Sequence, residues 1–88
     1  DTMTTTAAVI GEAFAAGDAA LAGKKVVFTG AMVPYSVSGS DALFNLGGAV
    51  LAAQLTQPGV YIVMNGRCFH WENIRKNKEV GVFEGDAL

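Results

Sequence analysis

Lys25-Val26-Val27-Phe28-Thr29 is an apolar, β-branched run without polar alternation, and Val60-Tyr61-Ile62-Val63-Met64 is a second of the same kind. Strands that read this way are buried on both faces, as in a parallel sheet flanked by helices. Between them, Ala31 to Ser40 carries Pro34, Gly39 and three serines, the composition of a loop. Ser40 or Asp41 then caps a helix on which Phe44, Gly48, Leu51 and Leu55 share a face, and Pro58-Gly59 ends the connection. Strand, helix and strand in this order make a βαβ unit.

Upstream, Met3, Ala7, Ile10 and Phe14 recur at helical spacing, with Leu21 one heptad further on. Asp1 and Thr2 are N-cap residues for this helix, and Gly23 suits its C-terminal end. Gly11 and Gly17 each weaken a helix by about 1 kcal/mol relative to Ala, and Gly17-Asp18 is where it would break. Downstream the chain turns polar at Asn65-Gly66-Arg67 and from Trp71 to Glu79, before a short apolar Val80 to Phe83.

The 88 residues make one small domain, residues 1–88, of α/β class. The expected architecture is a three-layer, parallel-sheet domain, Rossmann-like or flavodoxin-like. Two strands and two helices leave sheet edges and apolar faces uncovered. A third strand is therefore expected ahead of the first helix. The chain begins at Asp1, so the unit reads as a partial domain truncated at its N-terminus. Uncovered edges and faces also predict a homo-oligomer.

Six basic against eight acidic residues, a net charge of −2 and a pI near 5.1 argue against a nucleic-acid binder. No apolar run approaches the roughly 18 residues that a membrane span needs. Cys68 is the single cysteine, so no internal disulfide framework exists. Cys68 and His70 fall on one side of an extended segment. With no other Cys or His, they do not make a metal set, and a nucleophilic pair is rejected. Neither a P-loop nor a GxGxxG motif is present, and no cofactor is expected.

Open α/β sheets bind ligands beyond the carboxyl ends of their strands. That rule collects Asp1, Ser36, Asn65, Arg67 and Lys76 on one rim. Each has an ordinary structural reading as well. Asp1-Thr2 is an N-cap pair, and Arg75-Lys76-Asn77-Lys78-Glu79 is the pattern of a solvated face.

Four segments, in order and in register, resemble the bacterial-type L-asparaginases, above all their compact, single-domain members. They are Asp1-Thr2-Met3, Val27 to Pro34, Ser40-Asp41-Ala42-Leu43-Phe44-Asn45-Leu46 and Gly59 to Gly66. Arg75 to Glu79 and Gly81-Val82-Phe83-Glu84 continue the match. The resemblance implies hydrolysis of a small amino-acid amide by a threonine nucleophile through an acyl-enzyme. It maps Asp1 onto the aspartate of a Thr-Asp-Thr motif, which also holds the substrate α-amino group. Lys76 maps onto the lysine of the Thr-Asp-Lys group, and the backbone of Ala31 onto the segment lying against the substrate amide.

A lysine poised toward neutrality can take the proton that a threonine hydroxyl must lose, and a carboxylate beside it orients it. The sequence departs from the family pattern in two places. The attacking threonine and the triad threonine map upstream of Asp1, and Val33 stands where many relatives carry a basic residue. The expectation is a catalytic and substrate-binding set of Asp1, Lys76 and Ala31 that does not turn over asparagine by itself. A non-catalytic α/β interaction module is one alternative. A related glutaminase or amidotransferase subunit is the other. The single thiol and the compact-type resemblance point to the cytoplasm.

Overall fold

A computed structural model describes residues 2–77 and 82–88, with residues 75–77 and 82 described by their backbone alone. The elements run α1 (Thr2–Ala15), β1 (Lys25–Phe28), α2 (Ala42–Leu55), β2 (Gly59–Met64), β3 (Arg67–Asn77) and β4 (Val82–Ala87). They form one four-stranded sheet in the order β1-β2-β3-β4.

The βαβ unit is present. β1 pairs with β2 in parallel, Val26 opposite Val60 and Phe28 opposite Ile62. All six residues of β2 are buried, as its unbroken apolar run requires. Its side chains alternate between two layers. Val60, Ile62 and Met64 join Ala7 of α1 in the core, together with Phe69 and Phe83. On the opposite face Val63 meets α2, where a Cβ added to Gly48 would stand 3.1 Å from Val63 Cγ1. Two helices thus cover opposite faces of β2, which is the three-layer arrangement.

Beyond β2 the sheet becomes mixed. Asn65 (φ 55°) and Gly66 (φ 76°) both occupy left-handed backbone, the conformation of a two-residue hairpin turn. Met64 therefore pairs with Arg67, and β3 returns antiparallel beside β2. β4 then pairs antiparallel with β3, with an irregularity between Phe69 and Ile74. The polar stretch from Trp71 is strand rather than connection. Phe69 is fully buried, and Trp71 and Ile74 pack against the core, so the polar residues between them occupy the open positions.

Both helices differ from the expectation in instructive ways. α1 stops at Ala15 and the chain turns at Gly17 (φ 83°), so Leu21 lies outside the helix. Asp18 holds that turn by accepting a hydrogen bond from the Ala20 amide at 2.9 Å. On α2 the face set against the sheet is not Phe44, Leu51 and Leu55, which are 66%, 56% and 73% exposed. It is the small face of Asn45, Gly48, Ala49, Ala52 and Thr56, all buried or half-buried. Small residues let the helix axis approach the sheet closely, and that close approach turns the large side chains outward.

Candidate functional site

The carboxyl ends of β1 and β2 meet the first turn of α2. Thr29 follows β1, and its hydroxyl donates to the Val63 carbonyl of β2 at 2.7 Å. Gly30, Ala31 and Met32 come next, then two successive turns closed by Val37 N–H on Pro34 O and Ser40 N–H on Val37 O. The first turn of α1 reaches the same place, since Met3 Cε lies 3.0 Å from where a Cβ on Gly30 would stand. A Cβ at position 30 would require the Met3 methyl to swing aside.

Asp41 and Asn45 tie the segments together. Asp41 precedes α2 but makes no side-chain bond to the backbone of its first turn. Ser40 supplies the cap instead, its hydroxyl accepting from the Ala42 amide at 3.1 Å. The Asp41 carboxylate faces the loop, where Met32 N–H donates to Oδ2 at 3.1 Å and Val33 N–H to Oδ1 at 2.9 Å. Those backbone donors, Val33 first and Met32 second, hold the carboxyl below its ordinary value of 3.8. Asn45 is buried, and its amide donates to Gly30 O and to Asp41 Oδ2, both at 2.9 Å. Its carbonyl oxygen accepts from the Asn65 amide at 3.0 Å.

Of the residues expected on the rim, Asn65 is there, and the exposed Ala31 of the resemblance lies beside it. Arg67 starts β3 beside them, but its guanidinium donates to Gly85 O at 3.3 Å and lies 4.8 Å over the Phe69 ring. Ser36 sits in the exposed loop and makes no bond to the Asp41–Asn45 group. Asp1 lies outside the described residues. The placement of Lys76 on the rim needs correction. Its backbone pairs with Phe83 of β4, at the far end of β3 from Arg67, because the Asn65-Gly66 turn sends β3 back down the sheet.

Burial pushes the Cys68 thiol up, away from the thiolate a nucleophile needs. His70 stacks edge-on against Tyr61 at 5.8 Å. Among the described residues no cluster of His, Cys, Asp or Glu could hold a metal ion. An apolar groove of about 640 Å3 between α2 and the sheet is lined by Leu51, Leu55, Tyr61, Val63 and Cys68. It does not reach Ala31 or Asp41, and it offers little polar chemistry.

What the rim offers is a backbone segment held from both sides and open to a ligand at Ala31. A family model described as asparaginase, N-terminal, matches residues 1–83. The chain belongs to the asparaginase family. No curated protein matches it. In this asparaginase-family chain Ala31 is exposed and follows shortly after the end of β1. Asn45 is the residue that sequence reasoning missed. Its signal was a lone amide in the otherwise apolar run Ala42 to Leu46, four residues after an aspartate.

No helix among the described residues is long and apolar enough to cross a membrane.

Proposed function

We propose that this asparaginase-family chain serves an amidohydrolase that converts L-asparagine to L-aspartate and ammonia. The observation that carries the proposal is the family match over residues 1–83 together with the Ala31 rim at the strand ends. In this reading a threonine supplied by the region upstream of Asp1 attacks the side-chain amide carbon. Its hydroxyl proton passes to the Lys76 amine as the C–O bond forms. Lys76 hands that proton to the amide nitrogen as the C–N bond breaks, ammonia leaves, and water hydrolyses the resulting ester to L-aspartate and the free hydroxyl. Asp1 orients Lys76 and holds the substrate α-ammonium by a charge-assisted bond. The Ala31 backbone meets the amide.

For Lys76 to act at Ala31, the Lys76 end of β3 must come to the rim, and the Lys76→Ala variant tests this. The partner proposed for the chain is a second copy. Leu43, Phe44, Leu46, Val50, Leu51 and Leu55 of α2 are all more than half exposed, an apolar surface that an oligomer would cover. A cytoplasmic location goes with the single thiol.

The test is ammonia release from L-asparagine, by this chain alone and by the same chain extended upstream of Asp1. Activity in the extended form, abolished by Lys76→Ala with folding intact, supports the reading. Full activity in that variant removes Lys76 from the mechanism. Activity in neither form favours a non-catalytic module, and faster release from L-glutamine favours a glutaminase.

A further inference from the structure

Asp41 and Asn45 have no part in the scheme above, yet their placement is costly. An amide buried within an apolar helix loses its hydration and recovers it only if its hydrogen bonds are made. Asn45 is 1% exposed and makes them all with the rim: Gly30 O, Asp41 Oδ2 and the Asn65 amide. An apolar residue would fill the same space without that demand. Asp41, for its part, leaves helix capping to Ser40 and turns its carboxylate to the Met32 and Val33 amides. The bonds fall on Gly30 and on Met32, the two neighbours of Ala31, and leave Ala31 itself open. On the Met32 side the charged acceptor takes two successive backbone donors, Met32 at 3.1 Å and Val33 at 2.9 Å, one on each carboxylate oxygen.

We propose that Asp41 and Asn45 are positioning residues that clamp the peptide groups flanking Ala31, so that its backbone meets the substrate amide in a single geometry. The proposal rests on the amidohydrolase reading of Ala31. Its chemical basis is that a backbone contact made alike to bound substrate and to the transition state acts on KM, so loosening it weakens binding before it slows the chemistry. The lowered pKa of Asp41 fits, since it keeps the carboxylate form that the clamp requires.

The experiment compares wild type with Asp41→Ala, Asp41→Asn and Asn45→Ala in the extended, catalytically active chain. Two quantities are read: steady-state kinetics on L-asparagine, and amide hydrogen exchange at Met32 and Val33 against Ile62 of β2. The clamp predicts that Asp41→Ala raises KM about tenfold with a smaller change in kcat. Asp41→Asn falls between, because one acceptor oxygen remains. Protection at Met32 and Val33 drops about tenfold while Ile62 is unchanged.

A merely structural role lowers the active fraction, so kcat falls while KM stays at the wild-type value, and that result overturns the proposal. Unchanged exchange at Met32 and Val33 overturns it equally. Should Asn45→Ala fail to fold, the half-buried Asp41 variants decide the matter. Absence of ammonia release by wild type is a different failure, that of the amidohydrolase reading itself, and it takes the positioning role with it.

Discussion

α1 and α2 cover opposite faces of the same strand and do so by opposite means. α1 sets Met3, Ile10 and Phe14 around a buried Ala7 and closes a core with Ile62, Met64 and Phe69. α2 lays a small face, Gly48, Ala49 and Ala52, on the sheet and leaves its large side chains outside. Both helices are apolar in composition, so composition does not separate them. What separates them is which residues stand on the sheet-facing stripe. Large residues there make a filled core, whereas small ones make a close approach with a bare outer surface.

The comparison can be broken first at the core. Phe69→Ala should destabilise the chain by about 3–5 kcal/mol in urea unfolding, and Leu55→Ala on the outer face of α2 by less than about 0.5 kcal/mol. Similar losses at both sites would mean that α2 is covered on both sides.

Glycines give the next sharpest contrast. A Cβ at Gly11 of α1 would stand 2.2 Å from the Trp71 ring, whereas one at Gly47 of α2 meets nothing within 4 Å. Gly11→Ala is therefore expected to cost about 1–3 kcal/mol of overpacking, despite the better helix former. Gly47→Ala should stabilise by up to about 1 kcal/mol. Thermal unfolding of the pair reads out the difference in sign.

Asp41 sets a pH dependence on the α2 side alone. Its folded-state value is lowered, so its contribution is complete above the unfolded value near 3.8 and fades as pH falls through the folded value below it. Wild type should lose stability relative to Asp41→Asn over that acid window, and the two should run parallel above about pH 5. Parallel curves throughout would mean that the carboxylate makes no net bond to the loop.

The smallest expected effect in monomer stability is at Leu51. Leu51→Gln should shift unfolding by less than about 0.5 kcal/mol. The same change should lower the mass measured by light scattering if a second copy covers α2. An unchanged mass would take this face out of the proposed oligomer.

Much of this was legible in the chain. Two unbroken apolar runs separated by a loop and a helix specify a parallel pair, because only burial on both faces suits such runs. The end of α1 was readable at Gly17-Asp18. The β2–β3 hairpin was legible too, in Asn65-Gly66, a pair that tolerates the two successive left-handed residues a tight turn requires. The polar residues after Trp71 mask the alternation of Phe69 and Trp71 on one side of β3. On the rim, Asn65 followed from topology and Ala31 from the resemblance, whereas the backbone of Lys76 lies elsewhere because the Asn65-Gly66 turn sets β3 antiparallel to β2.

The sequence by itself determined the family, the βαβ unit and the rim at its strand ends, for these depend on local pattern and on motif order. Tertiary structure alone decided which face of α2 meets the sheet. Periodicity shows that a stripe exists, but close packing selects between a large stripe and a small one. It also decided the role of Asn45 and Asp41. A polar residue in an apolar helix reads as a blemish until the folded chain brings Gly30, Met32, Val33 and Asn65 to its hydrogen-bonding atoms. Hydrogen bonds between segments far apart in sequence depend on where the backbone returns, and only the assembled sheet fixes that.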